Sequence, residues 1–276
     1  MDTALSTSEM IGLAVSLGLA SIFAGLIAGL LGVGGGIVIV PILFWLFTLI
    51  EFQPELSMHM AVATSLATII ATSMSSVRAH HKRGAVDVAL LKRWSPAIAL
   101  GALSGGLLAK YIDPAGLKAI FGFVALAVAL NMAIPKTLVV ASELPESNAV
   151  QSAIAYVIGL LSSLMGIGGG TLSVPTLSAF SYPIHRAVGT AAAFGFMIAI
   201  PAVIGFIFSG WSVPDRPPLS LGYVNLIAVA IIFPFTTFFA PVGAKLAHSL
   251  DPKWVKRAFA VFLGITALRM LYSTFG

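Results

Sequence analysis

Apolar residues fill long stretches of the chain, broken by short polar punctuation. They follow neither the one-sided period of a surface helix nor the alternation of a half-buried strand. Ten runs stand out, at about 10–31, 36–50, 57–77, 89–109, 115–134, 150–165, 171–180, 187–209, 221–245 and 254–271. Most approach the roughly 20 residues that a helix needs to cross a bilayer. Lipid offers no partner to open backbone groups, so each run predicts a helix. The run 171–180 would span only about 15 Å as a helix, too short to cross.

The polar stretch PKTLVVASELPESN at 135–148 separates two halves that repeat one another. Gly32, Gly34, Gly35, Gly36 and Pro41 recur 134 positions on as Gly166, Gly168, Gly169, Gly170 and Pro175. HMAVAT at 59–64 recurs as HRAVGT at 185–190, and Gly84, Asp87 and Pro96 recur as Gly222, Asn225 and Pro234. DPAGLKAIF at 113–121 recurs as DPKWVKRAF at 251–259. The organisation expected is a first transmembrane repeat over 1–135, a cytoplasmic linker over 136–149 and a second transmembrane repeat over 150–276. About five hydrophobic segments per half is an odd number, so the second half would be inverted. Re-entrant hairpins at the glycine runs leave that parity unchanged; only one spanning and one non-spanning member per pair would make the halves parallel.

Composition agrees. Of 276 residues 58% are hydrophobic and 9% charged, against about 25% charged in soluble domains. The fold class expected is an all-α polytopic membrane protein of two inverted repeats, with glycine-broken re-entrant or half-helices meeting near the midplane. The opening MDTALSTSEM lacks the basic n-region of a cleavable signal, so the first run is expected to remain a membrane helix. There is no cysteine, which excludes disulfides and thiolate chemistry. The net charge of +5 raises nucleic acid as a partner, but basic residues in a membrane protein mark cytoplasmic loops. The inverted arrangement puts Arg78, Lys82, Arg83, Lys92, Arg93, Lys136, Arg186, Lys245, Lys253, Lys256 and Arg257 on one side. Only Lys110, Lys118, Arg216 and Arg269 fall on the other. The first side is therefore expected to be cytoplasmic and both termini external.

The two glycine runs need a reason, since each helical glycine costs about 1 kcal/mol relative to alanine. Gly25 and Gly29 form a GxxxG spacing that helix packing explains. Consecutive glycines instead invite a break, and Pro41 and Pro175 are expected to limit the helices that follow. Broken helices in paired repeats mark transporter substrate sites. A helix starting at such a break offers free N–H groups and about half a positive charge, and without Cβ atoms an anion can approach closely. The site expected is thus an anion site built from Gly34, Gly35 and Gly36 of one run and Gly168, Gly169, Gly170 and Thr171 of the other. No Gly-Lys-Ser/Thr follows either run, so neither is a nucleotide loop.

The ten acidic residues all fall in loops or at the ends of runs, leaving no mid-membrane carboxylate for cation coupling. This favours an anion as substrate. Thr64, Ser65, Thr68, Thr72, Ser73 and Ser75 place hydroxyls along the third run, and such groups commonly bond their own helix backbone. The repeat match singles out Thr64 and Thr190, with Ser65 beside the first. Asn131, Thr236 and Thr237 are weaker candidates. His59 and His185 also match across the repeat and offer titratable groups at a vestibule. Arg186, at a helix start, offers an anion ligand. His80 and His81 sit in a basic loop, RAHHKRG, without further ligands at metal spacing. No metal site, cofactor or catalytic set is evident, and no enzyme activity is expected.

The two glycine runs with their downstream prolines, the AVAT/AVGT blocks and the duplicated halves together resemble the TauE/SafE family of sulfite and organosulfonate exporters. The likeness covers nearly the whole chain. It implies a multi-pass carrier of the bacterial inner membrane that exports sulfite or a related small anion by alternating access, with the lipid bilayer as its surroundings. It points to the glycine runs with Thr64 and Thr190 as the substrate positions. The competing readings are an anion channel of the same architecture and a membrane assembly factor. Homo-oligomerisation is left open.

Overall fold

Proline and short polar side chains set where several helices begin. Pro54 and Pro114 stand in the first turns of their helices, where a missing N–H costs nothing. Asp113 accepts a hydrogen bond from Gly116 N–H at 2.7 Å, and Asp87 one from Leu90 N–H at 3.0 Å. The computed structural model describes residues 7–31, 35–49, 52–134, 139–246 and 252–276. In chain order the first half holds α1 (Thr7–Leu31), α2 (Gly36–Leu49), α3 (Pro54–Lys82), α4 (Val88–Leu108) and α5 (Pro114–Ala133). The second holds α6 (Asn148–Met165), α7 (Gly170–Ala179), α8 (Ile184–Ser209), α9 (Leu226–Leu246) and α10 (Pro252–Phe275).

Six helices among the described residues are long and apolar enough to cross a membrane: α3, α5, α6, α8, and the stretches Leu226–Gly243 of α9 and Arg257–Phe275 of α10. The chain is an all-α polytopic membrane protein. Two expectations change. Residues 221–225 do not open α9; Ser220–Leu221 (β1) and Val224–Asn225 (β2) pair antiparallel first, around Gly222 at φ +58°. The left-handed turn needs glycine and the Asn225 side chain caps the helix, so the apolar run is cut there. Pro41 and Pro175 do not end α2 and α7 either, but lie within them.

Packing repeats between the halves. α1 lies along α9 as α6 lies along α4; α3 meets α9 as α8 meets α4; α2 meets α3 as α7 meets α8. The matched helices α3 and α8 pack together, as do α5 and α10. The glycines repeat as well. A Cβ on Gly25 would stand 3.0 Å from the Thr236 backbone, and one on Gly159 would overlap the Ile98 carbonyl. Small residues allow this approach where no water drives helices together. At the centre Trp94 stacks on Phe194 at 5.7 Å, and its buried indole N–H donates to Gln151 Oε1 at 3.0 Å.

Each half also caps a helix of the other. Thr190 Oγ1 on α8 accepts from Asp87 N–H at 2.9 Å, at the start of α4. Thr64 Oγ1 on α3 accepts from Asn225 N–H at 3.0 Å, at the start of α9. Asp87 does more than cap. The Tyr182 hydroxyl and Arg186 Nη2, the latter at 2.8 Å, both donate to its Oδ2. Burial raises the Asp87 pKa, but the bonds from Tyr182 and Leu90 and the Arg186 charge outweigh it, so the carboxyl titrates below its usual range. Burial and the same carboxylate push Tyr182 up to about 12, which keeps the phenol a donor at neutral pH.

Two outcomes follow from this packing. Gly159→Leu should wedge α6 off α4 and lower the melting temperature in detergent by several degrees or abolish folded yield, the penalty being about 1–3 kcal/mol or more. Val157→Ala, at an exposed position of the same helix, should melt as wild type. A depressed carboxylate pKa stabilises above the unfolded value and is lost as pH falls through the folded one. The wild-type melting temperature should therefore drop on acidification below the ordinary carboxylate range. Asp87→Asn should melt lower at pH 7 and lack that part of the acid drop.

Candidate functional site

α6 ends because Gly166 turns left-handed at φ +68°, and its N–H closes the helix on Ser162 O and Ser163 O. The chain passes Gly168 and restarts as α7 at Gly170, with Gly169 preceding it and no side chain capping the new N-terminus. On the other arm Gly35, at φ +77°, leads into α2, and Val38 and Ile39 donate to its carbonyl at 3.0 and 3.1 Å. Gly32 and Gly34 lie outside the described residues.

The two breaks come together against α3. Ser65 Oγ donates to Gly166 O at 2.7 Å. A Cβ on Gly36 would overlap that same carbonyl, and one on Gly166 would stand 2.8 Å from Val62 Cα. Gly169 faces α8, where a Cβ would lie 2.7 Å from Gly195 N. Glycine is demanded here by contact as well as by backbone angle.

Beside the start of α7 lies a cavity of about 10 Å³, lined by Gly169, Gly170, Gly195, Thr72, Ser73 and Ser76 among others. It has room for one water molecule and none for an oxyanion. Ser76 and Ala240 also line a second cavity of about 160 Å³, whose wall carries Ser75, His80, Arg83 and Lys245. Ser76 and Ala240, common to both, thus separate a basic-walled cavity from the glycine N-terminus of α7. Nearby, Ser162, Thr171 and Ser173 are at most 2% exposed and their hydroxyls have no hydrogen-bond partner. An unpartnered buried hydroxyl costs about 1–3 kcal/mol, which a bound acceptor would offset.

The residues singled out in the sequence separate into groups. Gly35, Gly36, Gly168, Gly169, Gly170 and Thr171 are buried at the meeting of the breaks. Ser65 is there too, holding Gly166. Thr64 and Thr190 accept the backbone N–H groups of Asn225 and Asp87. His59 is buried, with Nε2 2.9 and 3.0 Å from the carbonyls of Ala109 and Ile112 and its ring stacked on Tyr223. His185 is exposed, and Arg186 is engaged by Asp87. The two histidines therefore share no environment. Ser76, Ser162, Ser173 and Gly195 were missed. Ser65, Thr68, Thr72 and Ser76 recur every three or four residues on α3, a hydroxyl stripe that reads from sequence once α3 is known to face the break.

The whole chain can be compared with known proteins. Residues 17–270 match the family described as sulfite exporter TauE/SafE. A probable membrane transporter protein of Haemophilus influenzae is 36% identical over 90% of this chain and 94% of its own length. One of Methanocaldococcus jannaschii is 28% identical over 90% and 91%, and one of Bacillus subtilis 26% over 91% and 94%. No solved structure matches. The glycine breaks, the repeated packing and this likeness over nearly the full length agree: the chain is a membrane transporter of the TauE/SafE family.

Proposed function

We propose that the protein is a secondary transporter that exports a small anion, sulfite or an organosulfonate, across the bacterial inner membrane. The observation that carries this reading is the basic wall at Arg83 and Lys245 next to the uncapped start of α7, with Ser76 and Ala240 between them. The basic wall attracts an anion. Past Ser76 and Ala240, the N–H groups and helix dipole of α7 meet it where Gly169 and Gly170 present no Cβ. Thr171 and Ser173 add hydroxyls that have nothing else to donate to. Gly35, Gly36 and Gly168 shape the same meeting point, and Ser65 holds it. The family description names sulfite, whose compact oxyanion suits a site of backbone donors and hydroxyls.

Inverted repeats supply the mechanism. Gln53, before α3, donates to Asp215 O in the loop after α8, while Arg186, at the start of α8, pairs with Asp87 beyond the end of α3. This is the arrangement expected if α3 and α8 run in opposite directions. The exchanged caps of Thr64 and Thr190 then tie the repeats at opposite ends. Rocking one repeat on the other would open one end and close the other around the glycine tips. The cavity of about 10 Å³ fits an occluded resting state. An inside-negative potential contributes about 2.3 kcal/mol per charge per 100 mV to anion export, so a coupling carboxylate is not required.

Protein in liposomes should carry sulfite with saturable, voltage-sensitive flux and counterflow. Linear, non-saturating flux would favour a channel, and no flux of sulfite or any sulfonate would remove the sulfur-anion reading. Thr171→Val deletes one hydroxyl at constant shape. It should raise the apparent KM for sulfite about tenfold or more, the worth of a charge-assisted hydrogen bond of about 1.5–3 kcal/mol. The melting temperature should hold or rise, because the hydroxyl is unpaired at rest. An unchanged KM would take Thr171 out of the site.

A further inference from the structure

A separate cleft of about 660 Å³ lies between α2, the start of α3, α5 and α10, lined by Phe44, Trp45, Phe52, Lys118, Arg269 and Tyr272 among others. It shares no lining residue with the two cavities near α7. Two cations face it and neutral groups hold both. Lys118 Nζ stands 5.6 Å from the Phe44 ring centre and donates to Ser273 O at 3.2 Å. The Arg269 guanidinium stands 5.1 Å from the Trp45 ring centre. Among the described residues no carboxylate pairs with Lys118 or Arg269; Asp113, five residues before Lys118, instead caps Gly116. Aromatic faces orient a cation without neutralising it, so both charges stay available to an anion.

The shape says which anion. The cleft is far larger than a small oxyanion fills. Tyr272 in its wall is 76% exposed, and Leu49 and Leu268, next in sequence to the lining residues Thr48 and Arg269, are 75% and 58% exposed. Tryptophan and tyrosine beside Lys and Arg is the composition of a headgroup-level belt. We propose that this cleft binds an anionic phospholipid, with the phosphate between Lys118 and Arg269, the glycerol against Trp45 and Tyr272, and the acyl chains over the apolar rim. The lipid would fasten α2, the half-helix that starts at the glycine break, to α5 and α10.

The test uses the full chain in phosphatidylcholine-doped detergent. Adding phosphatidylglycerol should raise the melting temperature by several degrees, and native mass spectra should show retained phosphatidylglycerol. Lys118→Gln with Arg269→Gln should melt as wild type in phosphatidylcholine yet lose most of that rise and about fivefold of the retained lipid. Should the double variant not fold, Lys118→Gln alone is read by lipid retention. No phosphatidylglycerol effect, or an equal effect in the variants, overturns the proposal. An equal rise with inorganic phosphate or free glycerophosphoglycerol also overturns it, since the cleft would then take a free anion.

Discussion

Two backbone breaks touch at the centre of this bundle, and they can do so because neither carries a side chain where they meet. Gly36 lies so close to the Gly166 carbonyl that any Cβ would overlap it. Ser65 holds that carbonyl from α3, and Gly169 lies against Gly195 of α8. The position of α2 and α7 relative to the long helices depends on this contact. So does the presence of a helix N-terminus inside the bundle. An interior backbone break leaves donors and acceptors that an apolar surrounding cannot satisfy, so it persists only where other groups or a ligand meet them.

That constraint sorts the polar residues by whether a backbone group already meets them. The polar side chains that close a backbone group in this structure include Ser65, Thr64, Thr190, Asp87 and Asn225. Hydroxyls left open are Ser162, Thr171 and Ser173, buried around the second break, and Thr237 on α9. The asymmetry is informative: the positions matching Thr171 and Ser173 in the first half are Ile37 and Ile39. The second break thus carries buried hydroxyls where the first carries isoleucines.

Charge is distributed with the same economy. Arg186 spends its guanidinium on Asp87, and the pair fastens α8 to the start of α4. Lys118 and Arg269 rest on aromatic rings at a different place. Arg83 and Lys245 stand in the wall of the cavity that shares Ser76 and Ala240 with the one beside α7.

Much of this architecture was legible in the chain itself. Apolar length alone determined the ten helical segments, because a backbone in lipid has few alternatives to a helix. Their ends fell within about five residues of those observed; α3 runs on to Lys82, and at 221–225 Gly222 and Asn225 read as an apolar continuation until the hairpin appeared. The glycine runs announced a break, and repeat matching paired Thr64 with Thr190 and Asp87 with Asn225. Matching could say that these residues were equivalent but not what they touch. Their bonds cross between halves more than a hundred residues apart, and no local pattern encodes which hydroxyl will find a backbone donor there. Whether Thr64 caps a helix or Thr171 is left unpaired was decided by packing between helices, and that is a property of the tertiary structure alone.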